Sequence, residues 1–289
     1  MRAAIAAAAA TLAAAGIDSA ISEAEQLAAF VAGVDRGRLR YSAGWGEAPT
    51  PEFTARYDEL VAARARRIPL QHLTGTAPFG PLDLKVGPGV FIPRPETEAL
   101  YEWATKVLGE CMVGQPLIVD LCTGSGALAI ALARYRPKAT VIGVDDSPAA
   151  LRYAAANAEG TAVRLIEADV TEPGLLPELD GQVDLLVANP PYIPDGAELE
   201  PEVAEHDPHH ALFGGPDGMV VIAAIARLAG RWVRPGGRVA VEHDDTTSLS
   251  TVESFSGTGL FRDVEARCDL AGRPRFVTAV RNTAPARGQ

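Results

Sequence analysis

IVDLCTGSGALAIALA, residues 118–133, decides how this chain folds. It opens as an apolar run of strand type, turns at Gly124 and Gly126, and ends as a helix start rich in alanine and leucine. The two glycines let backbone approach a ligand closely, and a helix N-terminus offers unpaired N–H groups to an anion. Asp145 follows about 20 residues on, at the end of the next apolar run, where a carboxylate can accept hydrogen bonds from ribose hydroxyls. The pattern points to an adenosine-containing cofactor without choosing one, since GSGALA (124–129) also satisfies the G-x-G-x-x-A form of dinucleotide sites. Asp120 has two readings, tying the loop together or touching the cofactor.

Outward from this stretch, short apolar runs at 117–121, 141–144, 163–166, 185–188 and 238–242 alternate with helical segments. That order predicts a parallel α/β sheet with both faces covered. Upstream, residues 1–68 read as helices only, residues 69–95 as short extended pieces broken by Gly and Pro, a hairpin linker, and residues 96–289 as the α/β domain. Ser22-Glu23-Ala24-Glu25 reads as a capping box, with Leu27, Phe30 and Val31 on one face and Gly33 as the stop. Thr50-Pro51 reads as a second helix start, followed by Phe53, Tyr57, Leu60, Val61 and Arg64 at helical spacing. The alanine-rich start is expected to be a surface helix rather than a secretory signal, and no charge-free apolar run reaches the ~20 residues that span a bilayer.

Composition narrows the class. The 289 residues are 47% hydrophobic and carry a net charge of −11, from 26 basic and 37 acidic side chains. An acidic surface repels phosphate, so direct nucleic-acid binding is not expected. Cys111, Cys122 and Cys268 are far apart and form no CxxC pair, which argues for a reducing cytoplasm and against a structural zinc.

LLVANPPYIP (185–194) carries the chemistry. An apolar strand delivers Asn189 to its carboxyl end, where open α/β sheets bind ligands. Pro190 restricts Asn189 to extended geometry, and both prolines have fixed φ and no N–H. The expected result is a rigid turn with acceptors available and few donors. The Asn189 side-chain carbonyl and a main-chain carbonyl, that of Pro190, can each accept one N–H of a planar amide or ring amine, with Tyr192 against its plane. The nitrogen's lone-pair face is then presented to the methyl of S-adenosylmethionine, leaving S-adenosylhomocysteine as product. Asn189, Pro190 and Tyr192 are the expected catalytic residues, and Asn189, Pro190, Pro191 and Tyr192 the substrate-binding ones.

With those residues in place, the chain resembles the HemK/PrmC family of peptide chain release factor glutamine methyltransferases over nearly its whole length. The likeness rests on PLQHLTG (69–75), FIPRPETE (91–98), DLCTGSGALA (120–129), NPPYI (189–193), ALFGGPDG (211–218) and PGGRVAVEH (235–243). The NPPY motif is shared with DNA adenine methyltransferases, whereas the HLTG and IPRPETE segments are more particular to this family. The resemblance implies a Rossmann-like class I methyltransferase domain with a mostly parallel seven-stranded sheet, preceded by a small helical domain and a hairpin linker. It implies methylation of the glutamine side-chain amide in the Gly-Gly-Gln loop of a release factor. It implies that Cys122, Thr123, Gly124, Ser125, Gly126, Asp145, Asp169, Val170 and Asn189 line the cofactor, with Val170 where relatives often carry an aromatic. Cys122 stands in place of the loop's usual first glycine, Asp207-Pro208 where Glu-Pro is commoner, and Asp244 in place of a frequent glycine.

Other residues suggest chemistry less specifically. His206, His209 and His210 in EHDPHHAL (205–212) read as a loop beside the substrate mouth, and no metal is expected. Glu96 and Glu98 suit a helix start, with shaping of the pocket as the second reading. Arg273 and Arg275 either guide a substrate or sit on a solvated hairpin. Alternatives to the leading function are methylation of a glutamine in a large-subunit ribosomal protein, adenine methylation of DNA, a nicotinamide oxidoreductase, and a non-enzymatic cofactor sensor.

Overall fold

The computed structural model describes residues 1–43, 49–111 and 113–283. The chain forms two compact units, Met1–Thr76 with Leu199–His206, and Ala77–Glu198 with Asp207–Gln289.

The first unit is helical: α1 (Arg2–Ala14), α2 (Ala20–Ala32), α3 (Arg36–Ala43), α4 (Pro51–Ala65), α5 (Leu70–Thr74) and the short α9 (Pro201–His206). Leu12, Leu27, Leu39, Tyr57, Leu60 and Val61 form its core. Gly33 ends α2 at φ 65, a left-handed conformation that glycine adopts without steric cost. Thr50 caps α4 by accepting from the Phe53 N–H at 3.2 Å, with Pro51 in the first turn.

Two local expectations are corrected. α2 starts at Ala20, so Ser22 lies inside it, and Ser19 donates its hydroxyl to Glu23 at 2.6 Å. Glu25 instead pairs with Arg36 and Arg40 of α3, so neither glutamate is left to build the Ser22 box. Phe30 is exposed while Leu27 is buried. Arg64 is buried on α4 and meets Glu23 at 2.5 Å and Glu202 at 2.8 Å, while Arg67 reaches Glu202 at 3.0 Å. A buried cation persists only with such partners, because desolvating it alone is costly.

The second unit begins with a hairpin, β1 (Thr76–Phe79) and β2 (Leu82–Lys85), then α6 (Thr97–Glu110). Phe79, Leu82, Leu84 and Val86 pack in one core with Leu100 and Leu108 of α6, so the hairpin is core material as well as a connection. Glu98 accepts from the Gly80 N–H at 3.1 Å and ties the hairpin turn to α6.

The seven-stranded sheet runs β5-β4-β3-β6-β7-β9-β8. Its strands are β3 (Leu117–Leu121), β4 (Thr140–Asp145), β5 (Arg164–Glu167), β6 (Val183–Ala188), β7 (Val233–Glu242), β8 (Phe261–Cys268) and β9 (Pro274–Arg281). The first five pair in parallel, and β9 and β8 close the edge antiparallel. Helices α7 (Ala127–Tyr135), α8 (Pro148–Asn157), α10 (Val220–Trp232) and α11 (Ser248–Ser256) lie between strands in sequence. Successive strand residues point to opposite faces. Ile118 therefore joins a core with α6 and α7, and Val119 joins one with α10 and α11. Burial on both faces is why these strands read as continuous apolar runs.

Candidate active site

Strand order places the site. The chain steps outward from β3 to β4 to β5 on one side, then returns to β6 and β7 on the other. The switch point lies between β3 and β6, where ligands of open α/β sheets bind beyond the carboxyl ends. Leu121 pairs with Ala188 across those strands, and Leu121 also pairs with Val144 of β4. Ala188 in turn pairs with Val241 of β7. The glycine loop, Asp145, the Asn189 turn and Glu242 thus leave the sheet side by side.

The glycine loop is held by the protein's own carboxylates. Cys122, Gly124 and Gly126 have φ of 56, 57 and 85. The cysteine therefore keeps the left-handed conformation of the glycine it stands for, at a steric cost of about 1–2 kcal/mol. Asp120 Oδ2 accepts from the Thr123 hydroxyl at 2.5 Å and from the Ala129 N–H, in the first turn of α7, at 3.0 Å. The loop-tying reading of Asp120 is thus the observed one for Oδ2. Asp145 accepts from the Gly124 N–H at 2.8 Å and the Ser147 N–H at 3.0 Å. Two N–H donors of the loop and the helix start, those of Gly124 and Ala129, are thus engaged by the protein's own carboxylates.

The charge of this site is negative. Burial pushes the Asp120 carboxyl up to about 7, against the hydrogen bonds from Thr123 and Ala129. Asp120 Oδ1 is buried without a hydrogen-bond partner among the described residues. Burial also raises Asp145, and raises the Cys122 thiol well above its ordinary value, with Asp145, Asp146, Asp120 and Asp169 adding to the latter. Asp169 Oδ1 accepts from both the N–H and the hydroxyl of Thr171, each at 2.7 Å. Val170 is buried in the core shared with α10 and α11.

The Asn189 turn is fixed on both flanks. Asn189 donates its Nδ2–H to the Thr97 hydroxyl oxygen at 3.1 Å, and its Oδ1 accepts no protein hydrogen bond among the described residues. Pro190 is buried, and Pro191 and Tyr192 are half-buried. The Tyr192 hydroxyl donates to Glu242 Oε1 at 3.1 Å. Ile193 bridges Phe213, accepting from the Gly214 N–H and donating to the Leu212 carbonyl, each at 2.9 Å. A Cβ on Gly214 would stand 2.6 Å from the Pro191 carbonyl oxygen. One on Gly218, at φ 75, would overlap the Tyr192 carbonyl. The GGPDG run is therefore glycine-rich because it lies directly against the backbone of the turn.

Several side chains acquire a place that sequence reasoning did not assign. Thr97 and Glu242 are buried beside the turn, while Glu96 takes the cap position of α6, the helix start expected of it. Their signal was a polar residue ending an apolar strand, AVE, and a threonine between the two glutamates of PETE. Arg275 is half-buried and acts on Tyr192 and Glu242, whereas Arg273 is exposed. Arg94 pairs with the buried Asp207 at 2.5 Å and lies 5.0 Å from the Phe91 ring, so an aspartate in the Asp207-Pro208 pair still meets the arginine of the IPRPETE segment. His209 stacks on Phe213 at 4.2 Å. Among the described residues no three His, Cys, Asp or Glu side chains are grouped to hold a metal.

A model described as the PrmC N-terminal domain matches residues 3–75, and a methyltransferase domain model matches residues 118–200. The release factor glutamine methyltransferase of Mycobacterium tuberculosis is 66% identical over 285 residues, covering 97% of this chain and 91% of that one. A 4-amino-L-phenylalanine/4-methylamino-L-phenylalanine methyltransferase of Streptomyces pristinaespiralis is 40% identical over 78% of each chain. In fold alone, the crystal structure of a methyltransferase from Pyrococcus furiosus matches with a TM-score of 0.50 at 17% identity, covering 70% of this chain and 90% of that one. With its class I methyltransferase sheet and its likeness extending through the N-terminal helices, the chain belongs to the release factor glutamine methyltransferase family.

Proposed function

We propose that this protein transfers a methyl group from S-adenosylmethionine to the side-chain amide nitrogen of the glutamine in the Gly-Gly-Gln loop of a peptide chain release factor. The observation that carries this reading is the Asn189 amide, whose nitrogen is engaged by Thr97 and whose Oδ1 remains an acceptor. Oδ1 and the Pro190 carbonyl would accept the two N–H groups of a primary amide, with Tyr192 beside its plane. An amide lone pair is delocalised and poorly nucleophilic, so alignment supplies much of the acceleration, on the order of 7–11 kcal/mol in well-oriented systems. Carbonyl dipoles aimed at the nitrogen also stabilise the positive charge that develops there. A strong general base is not required, because the methylated nitrogen is acidic and gives up its proton readily.

When bound, S-adenosylmethionine supplies an electrophilic methyl carbon on a sulfonium whose leaving group is a neutral thioether. The residues present fit a cationic cofactor. Asp120 Oδ1 is a buried acceptor without a partner, and four carboxylates surround the Cys122 position. The same charges oppose the pyrophosphate of a dinucleotide, which disfavours the oxidoreductase alternative. Residues 122–126 would line the cofactor, Asp145 would hold the ribose, Asp169 and Val170 would flank the adenine, and Asn189 would border the methyl group.

A second reading, an aromatic amine as acceptor, is favoured by the aminophenylalanine methyltransferase likeness, because the turn suits any planar nitrogen. The higher identity and fuller coverage of the release factor enzymes favour the glutamine. The helical first unit is proposed as the release factor recognition element, and the cytoplasm as the compartment. No described helix is long and apolar enough to cross a membrane. The test is mass spectrometry of a cognate release factor after incubation with enzyme and S-adenosylmethionine. A gain of one methyl on the Gly-Gly-Gln glutamine is expected, and an unmodified glutamine at saturating cofactor would overturn the proposal.

A further inference from the structure

Asn157 ends α8, and its side-chain amide joins three parts of the second unit. Its Oδ1 accepts from the Lys85 N–H of β2 at 2.7 Å. Its Nδ2 donates to the Lys85 carbonyl and to the Ser125 carbonyl of the glycine loop, each at 3.0 Å. Hairpin, helix and cofactor loop thus meet at one half-buried side chain, to which the transfer chemistry described above gives no role. The hairpin also runs directly against α8. Lys85 Nζ reaches the Ala156 carbonyl at 3.5 Å, and a Cβ on Gly87 would stand 2.5 Å from the Tyr153 hydroxyl oxygen.

A primary amide carries two N–H donors and one acceptor oxygen. The Lys85 and Ser125 carbonyls need both donors, and the Lys85 N–H needs the acceptor. The three bonds therefore fix which way the Asn157 amide faces, and neither a carboxylate nor an aliphatic side chain can replace it. β1 and β2 form a two-stranded sheet, so among the described residues one side of β2 has no strand beside it. The amide takes that place at Lys85. On the loop side, the peptide between Ser125 and Gly126 is held at both polar atoms, its carbonyl by Asn157 and its N–H by the Thr123 carbonyl at 2.8 Å. Just before α8, Asp145 ties the Ser147 N–H to the Gly124 N–H. Both ends of α8 thus grip the loop.

We propose that Asn157 is a positioning residue of the cofactor site, whose amide makes the hairpin and the glycine loop one rigid body. Ser125 lies between Gly124 and Gly126, whose φ of 57 and 85 are values that glycine enters and leaves freely. Without the amide, the Ser125–Gly126 peptide can rotate, and only a fraction of loops is then ready for S-adenosylmethionine. A loop already held in its binding conformation loses little freedom when the cofactor docks, which raises affinity. The coupling is reciprocal, so a cofactor docked on the loop steadies the Asn157–Lys85 bonds in turn. Asn157 makes none of its hydrogen bonds to the Asn189 turn, and its effect falls on cofactor affinity rather than on acceptor alignment.

This inference rests on the proposed cofactor but can fail independently of it. Full-length wild type, Asn157→Ala and Asn157→Asp would be compared by calorimetry with S-adenosylmethionine, by turnover on a cognate release factor, and by hydrogen exchange of the Lys85 amide. Asn157→Ala should raise the Kd for S-adenosylmethionine about tenfold. Asn157→Asp has nearly the same shape but turns a carboxylate oxygen against two carbonyls, so it should bind more weakly still. KM for S-adenosylmethionine should rise in step, while kcat at saturating cofactor should fall less than about threefold, a split that general loss of structure would not give. In wild type, saturating S-adenosylmethionine should slow exchange of the Lys85 amide by about tenfold or more, because hairpin and loop open together. That measurement needs no variant, and it decides the matter even where a substitution unfolds the chain. A Lys85 amide indifferent to cofactor in wild type, unaltered affinity in Asn157→Ala, or wild-type affinity in Asn157→Asp would overturn the inference. A wild type that binds no S-adenosylmethionine would instead sink the functional proposal.

Discussion

Leu121 at the end of β3 and Ala188 at the end of β6 are partners in adjacent parallel strands, so the cofactor loop and the Asn189 turn leave the sheet at the same level. Two motifs far apart in sequence become neighbours through one strand pairing. The sheet register sets their spacing.

The first prediction concerns the acceptor at the end of β6. Asn189→Ala removes Oδ1 from a turn whose backbone is held by Pro190, Pro191 and the Ile193–Phe213 bridge. Methyl transfer should fall by about 100- to 1000-fold, as when a preorganised polar group is removed from other active sites. The melting temperature should stay within about 4 °C of wild type. Retained transfer would exclude Asn189 as the amide acceptor.

Much of this architecture is legible in the residues alone, because buried parallel strands and glycine turns leave strong local patterns. The run 118–133 becomes β3, the loop and α7, and Thr50-Pro51 caps α4. β8 is less legible: it is an edge strand, mostly exposed, and FRDVEARC shows little apolar alternation. Thr97 and Glu242 are illegible for a different reason. Their partners, Asn189 and Tyr192, lie 92 and 50 residues away, and only the folded sheet brings them together. The Ser22 capping pattern misleads because nearby arginines claim both of its glutamates.

Gly218→Ala should destabilise the protein more than most surface substitutions. Its φ of 75 disfavours a side chain by about 1–2 kcal/mol. The new methyl would also collide with the Tyr192 carbonyl, which is backbone and can yield only by moving the turn. Thermal denaturation should show a loss of several degrees together with lost activity. Gly181→Ala is the control, since its φ is 66 but nothing lies within 4 Å of the added atom. If the two variants melt alike, contact with the turn is not the cause.

Cys122 tests how much shape the cofactor loop tolerates. Cys122→Gly removes a left-handed side chain and should leave S-adenosylmethionine affinity at wild-type levels. Cys122→Val puts a β-branched side chain at φ 56, where such residues are genuine outliers. Affinity measured by calorimetry should fall about tenfold, the equivalent of roughly 1.4 kcal/mol. Equal affinities in both variants would mean that the loop adapts without cost.

The arginine cluster of the first unit predicts an acid-sensitive stability. Glu23 is held below its ordinary value by Arg64 and Ser19, which outweigh its burial. A carboxylate depressed in the folded state contributes stability above its unfolded value, near 4.5, and loses it as pH falls through the folded one. Glu23→Ala should cost about 1–3 kcal/mol at neutral pH, because Arg64 loses one of its two carboxylate partners and keeps Glu202, and should flatten this acid limb. Denaturant titrations at about pH 7 and pH 4 measure both effects. An unchanged acid limb would assign the sensitivity elsewhere.

The opposite sign is expected from the cofactor site. Asp120 ionises near 3.8 when unfolded and at about 7 when folded, so between those values the folded state binds the extra proton. Stability should then decline as pH rises from about 4 to about 7, since the native state holds more protons than the unfolded one. Glu242, raised from 4.5 to about 7, contributes in the same direction. Asp120→Asn removes the ionisation, so its melting temperature should change less over that range than that of wild type. It also removes a carboxylate expected to hold the cationic cofactor, so S-adenosylmethionine should bind the variant more weakly above pH 7 while the gap narrows below it. Melting curves across pH, with and without S-adenosylmethionine, separate the two effects. A Glu23→Ala enzyme, free of that acid limb, whose cofactor-free stability rises steadily from pH 4 to pH 7 would show that the buried carboxylates at the switch point are ionised throughout.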